Sequence, residues 1–312
     1  MERFGGVYAA MLTPFGEGGA PSPSRAEAYC RYLVEGGADG LFPFGTTGEW
    51  PLLSEQERSA GVEAVVAAVR ALGAGDGGTG RAAKVVVHAG AHSTAATARL
   101  AAAAREAGAD AVAAICPPYY PLDDEALLSH FAAVAREARG LPVFVYSIPS
   151  LTKSDMSPAL LARLCRAAPG IAGLKYSGDD LARFREYRRV MGRSFAIFMG
   201  DDSLALAALR EGADGIVSGN ASAVPEIPAR LFAAFSAGDA AGAEGAQADL
   251  DRFIAAMDPS AELSCFKAVV AERGVEVGEA RAPLKSLDAA GRRRVSALVR
   301  DLESSGALRR YA

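Results

Sequence analysis

Few of the 312 residues are suited to building a metal or disulfide centre. The four cysteines, Cys30, Cys116, Cys165 and Cys265, are scattered and form no C-x-x-C pair. That spacing supplies neither a zinc site nor a disulfide framework, and it reads as buried free thiols in a reducing cytosol. Histidine occurs three times. His88 and His92 stand four apart, but a strand-like run precedes them, Gly90 lies between them and further ligands are missing, so no metal site is expected. An excess of positive charge is also lacking: 33 basic residues face 37 acidic ones, for a net charge of −4. Neutralising phosphates needs a basic surface, which excludes a dedicated nucleic-acid binder. Arg292-Arg293-Arg294 and Arg309-Arg310 read as solvated helix faces. No apolar run approaches the roughly 20 residues that span a bilayer. The opening MERFGGVYAAML has no basic region followed by a long apolar core, so no signal peptide is expected. The expectation is a soluble, cytoplasmic protein.

Half of the residues are hydrophobic, enough for a substantial core. Short apolar runs alternate with helical patterns. Strands are expected over Val7–Leu12, Gly40–Phe44, Lys84–His88, Ala111–Ile115, Val143–Tyr146, Ile171–Lys175, Phe195–Met199 and Gly215–Ser218. Helical stretches include Ser54–Leu72, Thr94–Ala107 and Asp123–Ala138, where Leu127, Phe131 and Val134 recur at helical spacing. Repeated β-then-α units imply a parallel sheet with right-handed crossovers, and eight of them favour closure into a (β/α)8 TIM barrel. Three helices run into similar signals, EGGADG at Glu35, EAGADA at Glu106 and EGADG at Glu211. Their glycines suit a left-handed cap before a strand. The glycine-rich stretch Ala74–Gly80 reads as a surface insertion. The expected organisation is a barrel over 1–224 with additional C-terminal helices over 225–312 packed on it.

Lys175 ends an apolar run and is followed by the loop Tyr176-Ser-Gly-Asp-Asp. The C-terminal end of a barrel strand is where this fold builds active sites. An amine sheltered from water gives up its proton more readily and can attack a ketone; the protonated imine then stabilises negative charge on the adjacent carbon. Taken alone, a lysine at a strand end is more often a surface residue. Tyr146 ends another strand run; its phenol can pass protons to a substrate oxygen, or simply cap the barrel mouth. In Gly45-Thr46-Thr47-Gly48 the glycines let the backbone turn and expose N–H groups beside two hydroxyls, an arrangement suited to a carboxylate, although a plain turn has the same sequence. The aromatics of Cys116-Pro-Pro-Tyr-Tyr-Pro can reach a neighbouring site or plug an interface. His130 reads as a packing or surface residue, Trp50 as packing beside the threonine loop, and Asp201-Asp202 as capping or hydroxyl-contacting carboxylates.

Together these residues resemble the dihydrodipicolinate synthase / N-acetylneuraminate lyase family. The landmarks occur in the family's order: Gly45-Thr46-Thr47-Gly48-Glu49, Pro118-Tyr119-Tyr120, Tyr146 with Pro149, and Gly173-Leu174-Lys175. Gly200-Asp201-Asp202, Gly212-Ala213-Asp214-Gly215 and Arg281-Ala-Pro-Leu add support. The resemblance implies that Lys175 forms a Schiff base with pyruvate or a related 2-oxo acid and that Tyr146 shuttles protons. Thr46 would link Tyr146 to Tyr120, the latter supplied by an adjacent subunit. It further implies that Gly45, Thr47 and Val217 hold the substrate, and that the assembly is a dimer of dimers with no metal or organic cofactor.

Departures bear on specificity, which contacts around Leu151, Ser203 and Gly219 would set. Leu151 stands where dihydrodipicolinate synthases carry an arginine for the aldehyde's carboxylate, and losing that bidentate partner costs several kcal/mol. Ser203 stands where sialic acid lyases carry glutamate, Ser147 replaces a common asparagine, and Tyr176 stands where a small or acidic residue is usual. The expected activity is therefore that of a class I aldolase or lyase on a 2-oxo acid such as a 2-keto-3-deoxy sugar acid, releasing pyruvate and an aldehyde. The rivals are a dehydratase on the same scaffold, the synthase itself, and a non-catalytic 2-oxo-acid-binding protein.

Overall fold

The computed structural model describes residues 4–74 and 83–310. Eight strands close into a parallel barrel in sequence order: β1 (Gly6–Ala9), β2 (Gly40–Leu41), β3 (Lys84–His88), β4 (Ala111–Ile115), β5 (Val143–Ser147), β6 (Ile171–Tyr176), β7 (Ala196–Met199) and β8 (Gly215–Ser218). This is the (β/α)8 barrel. All eight expected strands are present, and β2 is the one most shortened. Pro43 has no N–H for a ladder and Phe44 turns into left-handed backbone at φ 60°, so pairing stops at Leu41. The helices Glu55–Ala74, Thr94–Glu106 and Asp124–Ala138 occupy the expected stretches. The insertion read over 75–80 lies outside the described residues.

The repeated Gly-Ala-Asp signal has a structural cause. Gly37, Gly108 and Gly212 adopt φ of 99°, 83° and 91°, which a residue with a side chain resists. The aspartate that follows then clasps the neighbouring strand. Asp39, Asp110 and Asp214 accept the backbone N–H of Val7, Val85 and Ile197 at 2.8, 2.7 and 2.9 Å. Their own N–H groups donate to the carbonyls of the same three residues. Three strand pairs, β1–β2, β3–β4 and β7–β8, are thus fastened at their lower ends.

The barrel interior is filled by pairing large with small residues. Tyr8 on β1 lies over Gly40 on β2, Phe144 on β5 over Gly173 on β6, and Phe198 on β7 over Gly215 on β8. A Cβ at these glycines would lie 2.2, 2.1 and 2.7 Å from the facing ring. Outward residues such as Val85, Val87, Val143, Val145 and Leu174 meet the helices in the main hydrophobic core. Four helices follow β8: Glu226–Ser236, Ala240–Ala256, Glu262–Glu272 and Ala289–Ser304. The first packs on β1 and against the second. Among the described residues no helix is long and apolar enough to cross a membrane.

Candidate active site

Lys175 and Tyr146 are neighbours across the β5–β6 ladder, paired in register at its C-terminal end. A bulge at the base of the ladder makes this possible. Val143 pairs with Ile171 but Phe144 pairs with Gly173, leaving Ala172 as an extra residue. Ile171 faces the helices, and without the bulge strict alternation would turn Lys175 outward as well. With it, Lys175 joins Phe144 and Tyr146 inside the barrel. The lysine is 5% exposed. Its Nζ lies 4.1 Å from the ring centre of Tyr146 and 4.6 Å from that of Phe42. Gly200 leaves room for it: a Cβ there would lie 3.0 Å from Lys175 Cε and 2.0 Å from Ser177 Oγ.

The loop after β2 brings Thr46 to the same place, with its Oγ1 3.3 Å from the Tyr146 hydroxyl. Two turn bonds close the loop, from Gly48 N to Gly45 O at 3.0 Å and from Glu49 N to Thr46 O at 3.1 Å. Beneath it, His88 is fully buried among the rings of Phe42, Trp50 and Tyr146. Its Nδ1 donates to the Phe44 carbonyl at 2.7 Å. Burial, reinforced by the Arg58 cation, holds this imidazole well below the usual histidine range, so it is neutral.

Lys175, Tyr146, Thr46, Thr47, Val217, Ser203 and Gly219 all line one cavity of about 350 Å³. Gly45 is not in the lining; its carbonyl accepts the turn bond from Gly48 N. Leu151 is exposed on the short helix Pro149–Thr152, and Tyr120, 69% exposed, stands outside the cavity packed edge-on against Tyr119. Neither belongs to the lining within a single chain. Among the described residues Lys175 is the only basic side chain in the lining, which also carries Asp201, Asp202 and Glu262. Asp201 accepts from Ser203 N at 3.0 Å, as a capping residue does. Asp202 is buried and accepts from the N and Nδ2 of Asn220 at 3.1 and 2.6 Å. Burial raises its carboxyl above the usual range, and Asn220 opposes the rise.

Some cavity residues were missed by sequence reasoning: Ile254, Glu262 and Phe266 from the C-terminal helices, and Ser177 and Asn220 after β6 and β8. No local motif marks the helical three. The other two follow strand ends and could have been found by listing every residue just past a strand. Among the described residues no group of three histidine, cysteine or acidic side chains is placed to hold a metal ion. His88 and His92 each pack against the Trp50 ring instead, at 5.8 and 5.0 Å between ring centres.

Comparison with known proteins fits this geometry. The family model described as "Dihydrodipicolinate synthetase family" matches residues 3–302. A 4-hydroxy-tetrahydrodipicolinate synthase of Synechococcus sp. is 37% identical over 285 residues, covering 91% of this chain and 90% of the relative. The crystal structure of dihydrodipicolinate synthase DapA-2 from Bacillus anthracis superposes with a TM-score of 0.88 at 29% identity, covering 96% of this chain and 99% of that one. YagE, a prophage protein of this family from Escherichia coli K12 solved in complex with pyruvate, gives a TM-score of 0.88 at 26% identity, with the same coverage.

Proposed function

The chain belongs to the dihydrodipicolinate synthetase family of carbon–carbon lyases, and from that premise we propose that it is a pyruvate-dependent class I aldolase whose covalent intermediate forms on Lys175. The observation that carries the proposal is the convergence, in one cavity, of a 5% exposed lysine, the Tyr146 phenol and the Thr46 hydroxyl. The neutral amine adds to the ketone carbon of the 2-oxo acid. Loss of that oxygen as water leaves a protonated imine. In the cleavage direction a base removes the proton of the 4-hydroxyl, and the C3–C4 bonding pair moves into the imine. The aldehyde departs, leaving an enamine. Protonation at C3 and hydrolysis then return pyruvate and the free amine. Tyr146 carries the protons, with Thr46 joining it to Tyr120 of a neighbouring copy, while Gly45, Thr47 and Val217 hold the pyruvate half. The imine is itself the electron sink, so the chemistry calls for no separate cofactor.

The exposed Tyr119–Tyr120 pair supports an assembly in which each chain lends Tyr120 to the next, a dimer of dimers. The free thiols fit a cytoplasmic setting. The chain is read as a barrel over 1–224 with the region 225–312 packed on it, supported by Ile254 and Phe266 in the cavity wall. With Leu151 in place of an arginine and, among the described residues, no basic side chain but Lys175 in the lining, the aldehyde half is best matched to a hydroxylated, uncharged fragment, as in a 2-keto-3-deoxy sugar acid. Ser203 and Gly219 line the cavity around that half, and Leu151, outside the lining of a single chain, is the third residue assigned to it. The names of the relatives favour a second reading, 4-hydroxy-tetrahydrodipicolinate synthase.

Incubation with pyruvate and borohydride should fix an adduct on Lys175, seen by peptide mass spectrometry and absent in Lys175→Ala. Failure of the wild-type protein to form it rejects the proposal. A panel of keto-deoxy acids, with aspartate semialdehyde plus pyruvate alongside, separates lyase, dehydratase and synthase by product.

A further inference from the structure

The Thr46–Thr47 segment lies between two residues in left-handed backbone, Phe44 at φ 60° and Glu49 at φ 59°, and neither is glycine. Such backbone is strained for a residue with a side chain and persists only where the surroundings hold it. Each end has its own holder. At Phe44, the His88 Nδ1–H grips the carbonyl at 2.7 Å. The strand end bearing His88 is fixed in turn by Arg58, which donates to the carbonyls of Gly90 and His88 at 2.8 and 2.5 Å. At Glu49, the carboxylate meets Lys267 Nζ at 2.9 Å, with the two side chains 0% and 2% exposed, and its other oxygen accepts the Arg281 N–H at 2.7 Å. Lys267 also donates to the carbonyls of Thr13 and Glu279 at 2.9 and 3.0 Å. Thr13 in turn donates its hydroxyl to Gly48 O at 2.6 Å. One ammonium therefore governs both Gly48 and Glu49.

Stability alone explains this arrangement poorly. Taking an ion pair out of water costs about as much as the pairing returns, and well-packed apolar residues would serve the core as well. Neither His88 nor Lys267 lines the cavity. We infer that His88 and Lys267 are positioning residues: they clamp the two ends of the threonine segment and preset the Thr47 hydroxyl and the segment's N–H groups for the substrate carboxylate. The inference rests on the function proposed above. Lys267 lies on the helix Glu262–Glu272, so the C-terminal region shapes the carboxylate cradle as well as the cavity wall.

The clamps act on the cradle, whereas the amine and phenol are carried by β5 and β6, and His88→Leu keeps an apolar side chain beside the Tyr146 ring that His88 faces at 5.8 Å, so their loss should weaken pyruvate capture more than chemistry. The variants are His88→Leu, which removes the donor without stranding a charge; His88→Asn, which restores an N–H near the position of Nδ1; and Lys267→Met combined with Glu49→Gln, which removes both charges together. Borohydride trapping is followed at limiting and at saturating pyruvate, with thermal melts alongside. His88→Leu and the charge-pair variant should raise the half-saturating pyruvate concentration about tenfold or more, change the saturated rate less than about threefold, and recover largely in His88→Asn. Folded variants with unchanged half-saturation, or with loss confined to the saturated rate, overturn the inference. If the charge-pair variant does not fold, His88→Leu and its rescue decide. Wild-type protein that traps pyruvate while the variants behave normally refutes the clamps alone; wild-type protein that traps nothing refutes the functional reading and the clamps with it.

Discussion

Replacing Tyr146 by phenylalanine removes one oxygen and leaves in place the ring that Lys175 Nζ faces at 4.1 Å. The edge-on contacts of that ring with Phe42 and His88, at 6.1 and 5.8 Å between centres, also survive, so packing is spared. The hydrogen bond lost is the one to Thr46, long at 3.3 Å, and a bond of that kind contributes at most about 0.5–1.5 kcal/mol. In a chain of this size that amounts to a fall of only a few degrees in Tm. A positioned proton carrier, by contrast, contributes roughly 10²–10⁴ in rate, or about 3–5 kcal/mol of barrier. The two effects should therefore separate cleanly. Melting should barely move while turnover of a keto-deoxy acid falls at least a hundredfold, and imine trapping on Lys175 should slow but still occur. Turnover within about threefold of wild type, in Tyr146→Phe and in Thr46→Val alike, would refute the proton relay.

Two further outcomes follow from particular distances and burials. Gly200→Ala places a methyl group 3.0 Å from Lys175 Cε and 2.0 Å from Ser177 Oγ. The hydroxyl can rotate away but the lysine chain must shift, so trapping should slow about tenfold for a stability loss of about 1–3 kcal/mol, and a wild-type trapping rate would show the amine to be less tightly seated. His130 is 3% exposed and burial lowers its imidazole to about 4, against about 6.5 in the unfolded chain. The unfolded state thus binds the extra proton, and this contribution to stability is whole above about pH 6.5 and declines as the pH falls toward 4. The loss is roughly 3 kcal/mol over the full window, and His88 acts in the same direction. Urea melts between about pH 7 and 4.5 should show a shallower decline for His130→Phe than for wild type, and an equal slope would refute the assignment.

The barrel was legible because parallel strands are buried on both faces and read as unbroken apolar runs, each ended by a polar or turn residue. For the same reason Lys175 and Tyr146 stood out at the ends of such runs. Thr46 and Thr47 were legible from the glycines around them. The contributions of Ile254, Glu262 and Phe266 were not, since an amphipathic helix shows which residues are buried but not what they face. The Glu49–Lys267 pair was hidden likewise: its partners are remote in sequence, and a helical lysine ordinarily reads as solvated. The premature end of β2 followed from Pro43, a residue visible from the start but outweighed by the apolar run around it.

The extra residue at Ala172 makes the location of the reactive amine a matter of parity. Every other paired residue of β6 looks into the barrel, so the number of paired residues ahead of Lys175, odd or even, decides whether its nitrogen meets substrate or the helix layer. Were the same residues to run without the bulge, Leu174 and Lys175 would exchange sides, putting an aliphatic chain under the phenol and an ammonium among hydrocarbon. Deletion of Ala172, by contrast, would leave a regular ladder with the same pairs from Gly173 onward. The bulge thus takes up one residue at the base of the strand before it reaches the reactive end, and what the amine depends on is the pairing of Gly173, Leu174 and Lys175 with β5, not residue 172 itself.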